Sequence, residues 1–513
     1  AELRTAVGAA PGTRAALEAA RELEEMGSPG AEDRLAVARV YDRHGEKRRA
    51  LQRYRAWLAS GSGTEAERRS VQLAVGRALF DTGSFVEAEN ALRALAAGSA
   101  DIAADALYLS GRAQYRAGRR SQARTTYLQV AERFPGTQQG AEALYLVADL
   151  HHDAGEMARA RQAYRRVADG FRDIDRAGLA LMRLAGMAYL ERDYADAARI
   201  WNEYRSSYPQ GQLWLQSTYW AGRAAEAAGD RAAAAARYRE VRAREPMSYY
   251  ALRSAEHLGE PFWPIPMAAA PQVEPAARTR VDRWMRAVDL LRDAGLYDEA
   301  DAETDRLVRS VGNDRNLTYP LAEALNERGY SVRGIRLGLQ MQRQDPNMNP
   351  RLIRILYPFP YRDVIEAESL ERGLDPFMVA ALTRQESLFS ARISSPVGAR
   401  GLMQVMPETG RMVAAGVGIA RWDEELLFQP EINVHLGTRY LADQVRAYDG
   451  SLPSVFSAYN AGPHRVEQWK RYPEYGNEEL FTERIPFRET RDYVKILTRN
   501  IAIYHGLYGA SER

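Results

Sequence analysis

Glu386 is the residue in this chain best suited to acid–base chemistry. It lies in FMVAALTRQESLF, directly after Asp375-Pro376, a capping residue and a first-turn proline that together predict a helix start. Counting back from Glu386 by helical steps reaches Thr383, Leu382, Val379 and Met378. The carboxyl group therefore shares the apolar face, with Arg384 marking the solvated one. A carboxyl group pressed against apolar neighbours has its charged form disfavoured. Its pKa rises, and it can keep a proton near neutrality, as a general acid must. Helical glutamates are more often salt-bridged or solvated than catalytic, so this helix alone does not decide the matter.

Two further segments add to it. Ser394 to Pro407, SSPVGARGLMQVMP, is a glycine-punctuated loop leading into apolar residues with one amide, Gln404. Ser457 to Pro463, SAYNAGP, ends a predicted helix with an aromatic hydroxyl and an amide beside a turn. A carboxyl acid, a small-residue loop, amides and a tyrosine suit a polar ring such as a sugar. Read singly, the glycines are turns and the tyrosine is core. Metal chemistry is not expected: the chain has no cysteine and seven scattered histidines without an HExxH pair, and His435 and His464 read as surface as readily as ligands. No cofactor is expected either.

These segments need a scaffold, and a chain of 513 residues has length for two to four domains. Seventy basic against 68 acidic residues give +2, which is no footprint for nucleic acid. The lysines are Lys47, Lys470 and Lys495, the remaining positive charge is arginine, and the bland reading of that bias is a GC-rich genome. No apolar run reaches the roughly 18 residues a membrane-spanning helix needs. The first residues, Ala1-Glu2-Leu3-Arg4, lack a signal-peptide pattern. That fits either a cytosolic protein or one whose signal has been removed.

An internal repeat runs through the first half. A glycine followed five residues later by alanine recurs at Gly45/Ala50, Gly83/Ala88, Gly118/Ala123, Gly155/Ala160 and Gly229/Ala234. Arg192/Ala197 fills the missing register, and Gly295/Ala300 and Gly329/Gly334 continue the series. From Gly45 to Gly229 the spacings are 38, 35, 37, 37 and 37 residues, close to the period of tetratricopeptide helix pairs. The glycine is expected to end one helix in a left-handed conformation, and the alanine to let the next pack closely. Tyr115, Tyr127, Tyr164, Tyr189, Trp201 and Tyr238 are expected to wedge between helices. Gly259 to Pro275 holds five prolines, and Asp345 to Pro360 holds Pro346, Pro350, Pro358 and Pro360. The expected architecture is all-α: a tetratricopeptide-like superhelix over 1–258, a proline-rich connector at 259–276, a helical linker domain at 277–350, and a functional domain at 351–513.

The ordered motifs RQESLFS, SSPVGARGLMQVMPETG, EINVHLGTRYL, SAYNAGPHRVEQW and ERIPFRETRDYVK resemble those of the soluble lytic transglycosylases, and they cover essentially all of 351–513. The upstream solenoid resembles the large soluble member of that family in architecture. The resemblance implies a goose-type lysozyme-like catalytic domain, mainly α, with Glu386 as catalytic acid then base. It implies that Ser395, Gln404 and Met406 line the sugar groove and that Tyr459 and Asn460 are the tyrosine and asparagine of its AYN motif, the tyrosine hydroxyl lying beside the catalytic carboxyl. Glu483, ahead of IPF, matches a second acidic residue of the groove. Arg400 and His464-Arg465 depart from the commonest forms and bear on groove charge.

The implied substrate is peptidoglycan glycan strands, cut between N-acetylmuramic acid and N-acetylglucosamine to leave 1,6-anhydromuramoyl ends without water. The implied compartment is the periplasm, with a signal peptide removed. The solenoid would guide the glycan or receive cell-wall enzyme partners, and residues 1 to about 345 would not be needed for the chemical step. A lysozyme-like hydrolase is the nearest alternative, with Asp423, Glu424 and Glu483 as candidates to activate water. A glycan-holding scaffold is the alternative of another class.

Overall fold

The computed structural model describes residues 2–27, 30–98, 100–419 and 421–509. All regular elements among the described residues are helices, and the only β-type pairings there are isolated bridges from Arg400 to Ser394 and to Val405. Two compact units divide the chain, Ala1–Ala228 and Gly229–Arg513.

The first unit is a stack of helix pairs. Glu65–Asp81 pairs with Phe85–Arg93, Ala100–Arg116 with Arg120–Arg133, Gln138–Asp153 with Met157–Gly170, and Asp175–Leu190 with Tyr194–Ser207. Each helix packs on the next, and the leading helix of each of these pairs also packs on the leading helix of the pair that follows. That is the neighbour-only contact pattern of a solenoid. The repeat explains the turns. Gly45, Gly83, Gly118 and Gly155 have φ of 77°, 84°, 80° and 75°, and Arg192 takes the same conformation at 62°. The alanines five residues on, Ala50, Ala88, Ala123, Ala160 and Ala197, are fully buried. Tyr127, Tyr164 and Trp201 are buried between helices as expected, but Tyr115 is exposed, with Arg120 over its ring.

Arg192 is the one side-chain-bearing residue at a turn that glycine fills elsewhere. Arg192→Gly is therefore expected to stabilise the first unit by about 0.5–1 kcal/mol. Gly155→Ala is expected to cost a similar amount, since nothing lies within 4 Å of the added carbon and only backbone strain counts. Urea unfolding followed by circular dichroism checks both. Equal midpoints for Arg192→Gly and wild type would mean the turn is not strained.

In the second unit one hydrophobic core runs from Ile265 to Leu507. The proline-rich connector is part of it: Ile265 is buried, the Ala268 N–H donates to the Met348 carbonyl at 2.7 Å, and Trp263 packs on the C-terminal helix, Arg488–Tyr508. A side chain at Gly506 would meet the Trp263 ring at 2.4 Å. The glycine–alanine spacing persists here, with φ of 77° at Gly295 and 81° at Gly329 and a buried Ala300. Pro350–Leu356 packs on both Arg315–Glu327 and Ser331–Gln344.

The boundaries expected at 258 and 351 are not those of the two compact units, which divide at 228/229, and one buried core runs through 351. Composition marks where the backbone turns; it does not mark where burial ends. A fragment of 351–513 would thus expose the apolar surface that this core shares with residues upstream of 351.

Candidate active site

Asp375 caps the Glu386 helix, Pro376–Ser387, by accepting the Phe377 N–H at 2.9 Å, with Pro376 at its first turn. The helix packs on Arg488–Tyr508 through its apolar face, where Val379 and Leu382 are fully buried. Arg384, expected in solvent, is instead half-buried: its Nε donates to the Leu356 carbonyl at 2.8 Å and its guanidinium lies 4.3 Å from the Tyr357 ring centroid. The helix stops abruptly at two consecutive left-handed residues, Leu388 at φ 50° and Phe389 at φ 62°, the second fully buried. Glu386 sits two residues before that stop.

The glycine-punctuated loop is held against the helix end by side chains from three other elements. Ser387 Oγ donates to the Leu402 carbonyl at 2.7 Å, and Tyr459 Oη to the Met403 carbonyl at 2.8 Å. Asn433, fully buried on the helix Pro430–Ala447, accepts the Met403 N–H at 2.8 Å and donates to the carbonyls of Arg400 and Leu427 at 2.9 and 2.7 Å. Gln404 takes a left-handed φ of 49°, and its amide donates to the Gly401 and Ile393 carbonyls of its own loop. Ser395 Oγ accepts the Ala399 N–H at 3.0 Å, closing the 395–399 turn. Met406, 41% exposed, leads into Pro407–Gly416.

Glu386 is half-buried, and Tyr493 Oη, from the C-terminal helix, donates to its Oε1 at 2.5 Å. Its Oε2 makes no hydrogen bond among the described residues. Burial pushes the Glu386 pKa up to about 7; the Tyr493 bond pulls it back, and the Glu489 carboxylate pushes it further up. Tyr459 and Tyr493 are both pushed well above the ordinary tyrosine range, by burial first and then by the Glu386 charge. Tyr459 thus lies within electrostatic reach of Glu386. Its hydroxyl, however, bonds to the loop, and it is Tyr493 that bonds to the acid.

Asn460 Oδ1 accepts from Thr490 Oγ1 at 2.7 Å, leaving its Nδ2 without a partner among the described residues. Glu483 is placed differently from a groove acid. Its Oε1 accepts from Tyr250 Oη and its Oε2 from Lys495 Nζ, both at 2.7 Å, and Lys495 also donates to Tyr250. Burial pushes the Glu483 pKa up, but the charge and hydrogen bonds of Lys495 and Tyr250 outweigh it and the carboxylate stays ionised. Arg400 is paired with Glu424 and Glu425, each at 2.7 Å. Asp423 caps the turn that follows by accepting the Glu425 N–H at 2.9 Å. Among the described residues no cluster of histidine and acidic side chains could hold a metal ion.

Fold and site together define a helical, lysozyme-like domain built around one carboxyl group. The comparisons with known proteins say which: residues 363–481 match the transglycosylase SLT domain, and residues 108–173 and 179–211 match tetratricopeptide repeats, so the chain carries an SLT domain after a repeat array. A soluble lytic murein transglycosylase of Salmonella typhimurium is 34% identical over 163 residues, which is 30% of this chain and 24% of that one. The protein of the same name from Escherichia coli K12 is 34% identical over 159 residues, 30% and 23% of the two chains. The chain thus matches about a quarter of the length of these relatives.

The crystal structure of the 70 kDa soluble lytic transglycosylase of Escherichia coli superposes with a TM-score of 0.56 at 20% identity, covering 96% of this chain and 91% of that one. The lytic transglycosylase of Pseudomonas aeruginosa gives 0.50 at 19% identity, covering 99% and 97%. At those identities the likeness establishes the fold.

Proposed function

We propose that this chain is a peptidoglycan lytic transglycosylase of the periplasm, with Glu386 as acid and then base. The observation that carries the reading is the state of that carboxyl group: half-buried, held at Oε1 by Tyr493, with a pKa pushed up to about 7. Protonated Glu386 donates to the oxygen joining N-acetylmuramic acid to N-acetylglucosamine, and the bond to C1 of the muramoyl ring breaks. The muramoyl acetamido oxygen stabilises the positive charge that develops at C1, so no second carboxylate is required. The ionised Glu386 then takes the proton of the same sugar's 6-hydroxyl, whose oxygen closes on C1. Glu386 ends protonated, and a 1,6-anhydro ring is the product.

Ser395 Oγ, the Gln404 carbonyl oxygen and Asn460 Nδ2 are the polar atoms we assign to the sugar, with Met406 as apolar floor. We assign Glu483 a supporting role behind the groove. The repeat unit, which holds no candidate for the chemical step, is proposed to hold glycan or cell-wall partners. Among the described residues no helix is long and apolar enough to cross a membrane.

The hydrolytic alternative needs a free carboxylate to activate water, and its candidates are otherwise engaged: Glu483 with Lys495, Glu424 with Arg400, and Asp423 as a cap. The experiment is mass spectrometry of muropeptides released from purified sacculi. Anhydro ends are expected; products heavier by one water, reducible by borohydride, would move the assignment to a hydrolase.

Tyr493→Phe should act on both rate and pH dependence. Loss of the donor removes the interaction that lowers the Glu386 pKa, so the alkaline fall of kcat, set by loss of the acid's proton, should move to higher pH. Turnover at pH 6 should drop about 10-fold as the carboxyl group loses its orientation. A kcat–pH profile identical to wild type would remove Tyr493 from the mechanism.

A further inference from the structure

A pocket rich in arginine lies in the same compact unit as Glu386, and the chemistry above makes no use of it. It has a volume of about 820 Å³ and contains six arginines: Arg278, Arg292, Arg328, Arg351, Arg354 and Arg362. Four of them already have a carboxylate partner, two of them sharing one. Arg278 and Arg351 pair with Glu323, Arg328 with Asp289, and Arg362 with Glu366. Arg292 and Arg354 have no carboxylate partner among the described residues. Arg292 donates to the Arg328 carbonyl and covers the Tyr330 ring, while Arg354 lies over Tyr508 at 5.8 Å. Two guanidinium groups thus face the pocket with donors to spare, in the fork geometry that suits carboxylates.

The rest of the lining narrows the ligand. Phe359 and Tyr361 supply ring faces, and Tyr361 is held at φ 56°, a left-handed conformation a tyrosine rarely adopts and one that clusters at ligand sites. Glu327, 59% exposed, reaches its nearest arginines only at 3.9 and 4.0 Å, leaving a carboxylate available to an ammonium group. Beside Glu327 a polyphosphate would meet a like charge, whereas a zwitterion would place its ammonium group there.

We propose that this pocket binds a short peptide carrying at least two carboxylates and an amine, its carboxylates on Arg292 and Arg354 and its amine on Glu327. On the peptidoglycan reading, which this assignment of its source rests upon, the peptide is the stem borne by the same glycan. The pocket wall is joined to the catalytic helices: the Leu356 carbonyl accepts from Arg384, two residues before Glu386, and Tyr508 and Tyr504 donate to the carbonyls of Tyr357 and Pro358.

The test is calorimetric titration of the full chain with the synthetic tripeptide alanyl-γ-glutamyl-diaminopimelate, which carries three carboxylates and two amines. Saturable binding is expected, weakened at least 10-fold in an Arg292→Ala/Arg354→Ala double variant and about threefold in Glu327→Gln. Cleavage of peptide-free glycan should be unchanged in all of them. No saturable binding up to about 5 mM, or equal affinity in the folded double variant, overturns the proposal. So does inorganic pyrophosphate binding in place of the tripeptide. Tripeptide binding by a chain that releases no anhydro products would instead leave the pocket standing and defeat the catalytic reading.

Discussion

Glu386→Gln is expected to abolish turnover and, at pH 8, to make the protein more stable. The first effect follows from the loss of a transferable proton: general acid–base catalysis is worth about 10²–10⁴-fold, and in the mechanism proposed above one group serves both steps. The second follows from linkage. The Glu386 pKa is raised from 4.5 to about 7, so between those values the folded protein binds a proton that the unfolded chain has released. Stability contributed by this group is therefore full below pH 4.5, falls as pH rises, and is lost above 7. Each pKa unit corresponds to about 1.4 kcal/mol. After discounting for the partial exposure of the group, the glutamine variant should gain on the order of 2 kcal/mol at pH 8 and nothing at pH 4. Glutamine keeps an oxygen for the Tyr493 hydroxyl, so the hydrogen bond survives. Thermal unfolding of the two proteins at pH 4 and pH 8, with release of muropeptides at pH 6, checks both halves. A variant that still cuts sacculi at the wild-type rate would falsify the role given to Glu386.

Gly401→Ala is expected to be the most damaging single-methyl change in the site. Its φ of 74° strains any side chain, and the new carbon would lie 2.1 Å from the Leu427 carbonyl oxygen and 2.3 Å from Asn433 Nδ2. The first obstacle is backbone and the second is the amide that holds the loop, so neither can swing aside. Destabilisation of about 3 kcal/mol or more is expected from strain and overpacking combined. Activity should fall at least 10-fold even at temperatures where the variant is folded, because Asn433 positions the loop that carries Gln404 and Ser395. Gly398→Ala is the control. It sits at φ 93° with nothing within 4 Å of the added carbon, so only the backbone cost of about 1 kcal/mol remains. Equal losses in the two variants would show that the clash at Gly401 is relieved by movement.

Much of the scaffold was legible because its signals are local. A turn glycine and a buried alanine five residues apart describe one helix–helix junction, and the junction repeats. The Arg192 turn was readable only from that register, since nothing about an arginine points to a left-handed conformation. The Glu386 helix was legible for the same reason, from its cap, its proline and its apolar face. What was not legible depends on residues far apart in the chain. Tyr493 lies 107 positions after Glu386. It stood within the RDYVK motif, one turn after Glu489 on a helix with an apolar face, but nothing local says that its hydroxyl meets a carboxyl group. Glu483 was expected as a groove acid from the motif resemblance alone, and nothing local points to its partner Tyr250, 233 residues upstream. The prolines near 351 interrupt helices without interrupting the core that those helices share, and a shared core is again a matter of residues far apart in the chain.

The stop at Leu388 and Phe389 has a consequence for how this site can change. Two successive side-chain-bearing residues in the left-handed region cost about 1–2 kcal/mol each, and the surrounding packing must exceed that cost. Glycine at 388 or 389 would relax the backbone, yet it would also let the last turn of the helix unwind or extend, and at 389 it would empty a filled position in the core. Rigidity at the acid is thus written into main-chain torsions as well as into the hydrogen bond that Glu386 accepts from Tyr493. Selection for thermal stability alone would favour relaxing these two positions, and selection for turnover would oppose it. A library randomised at 388 and 389 should separate the two demands, with its most heat-resistant members among its slowest.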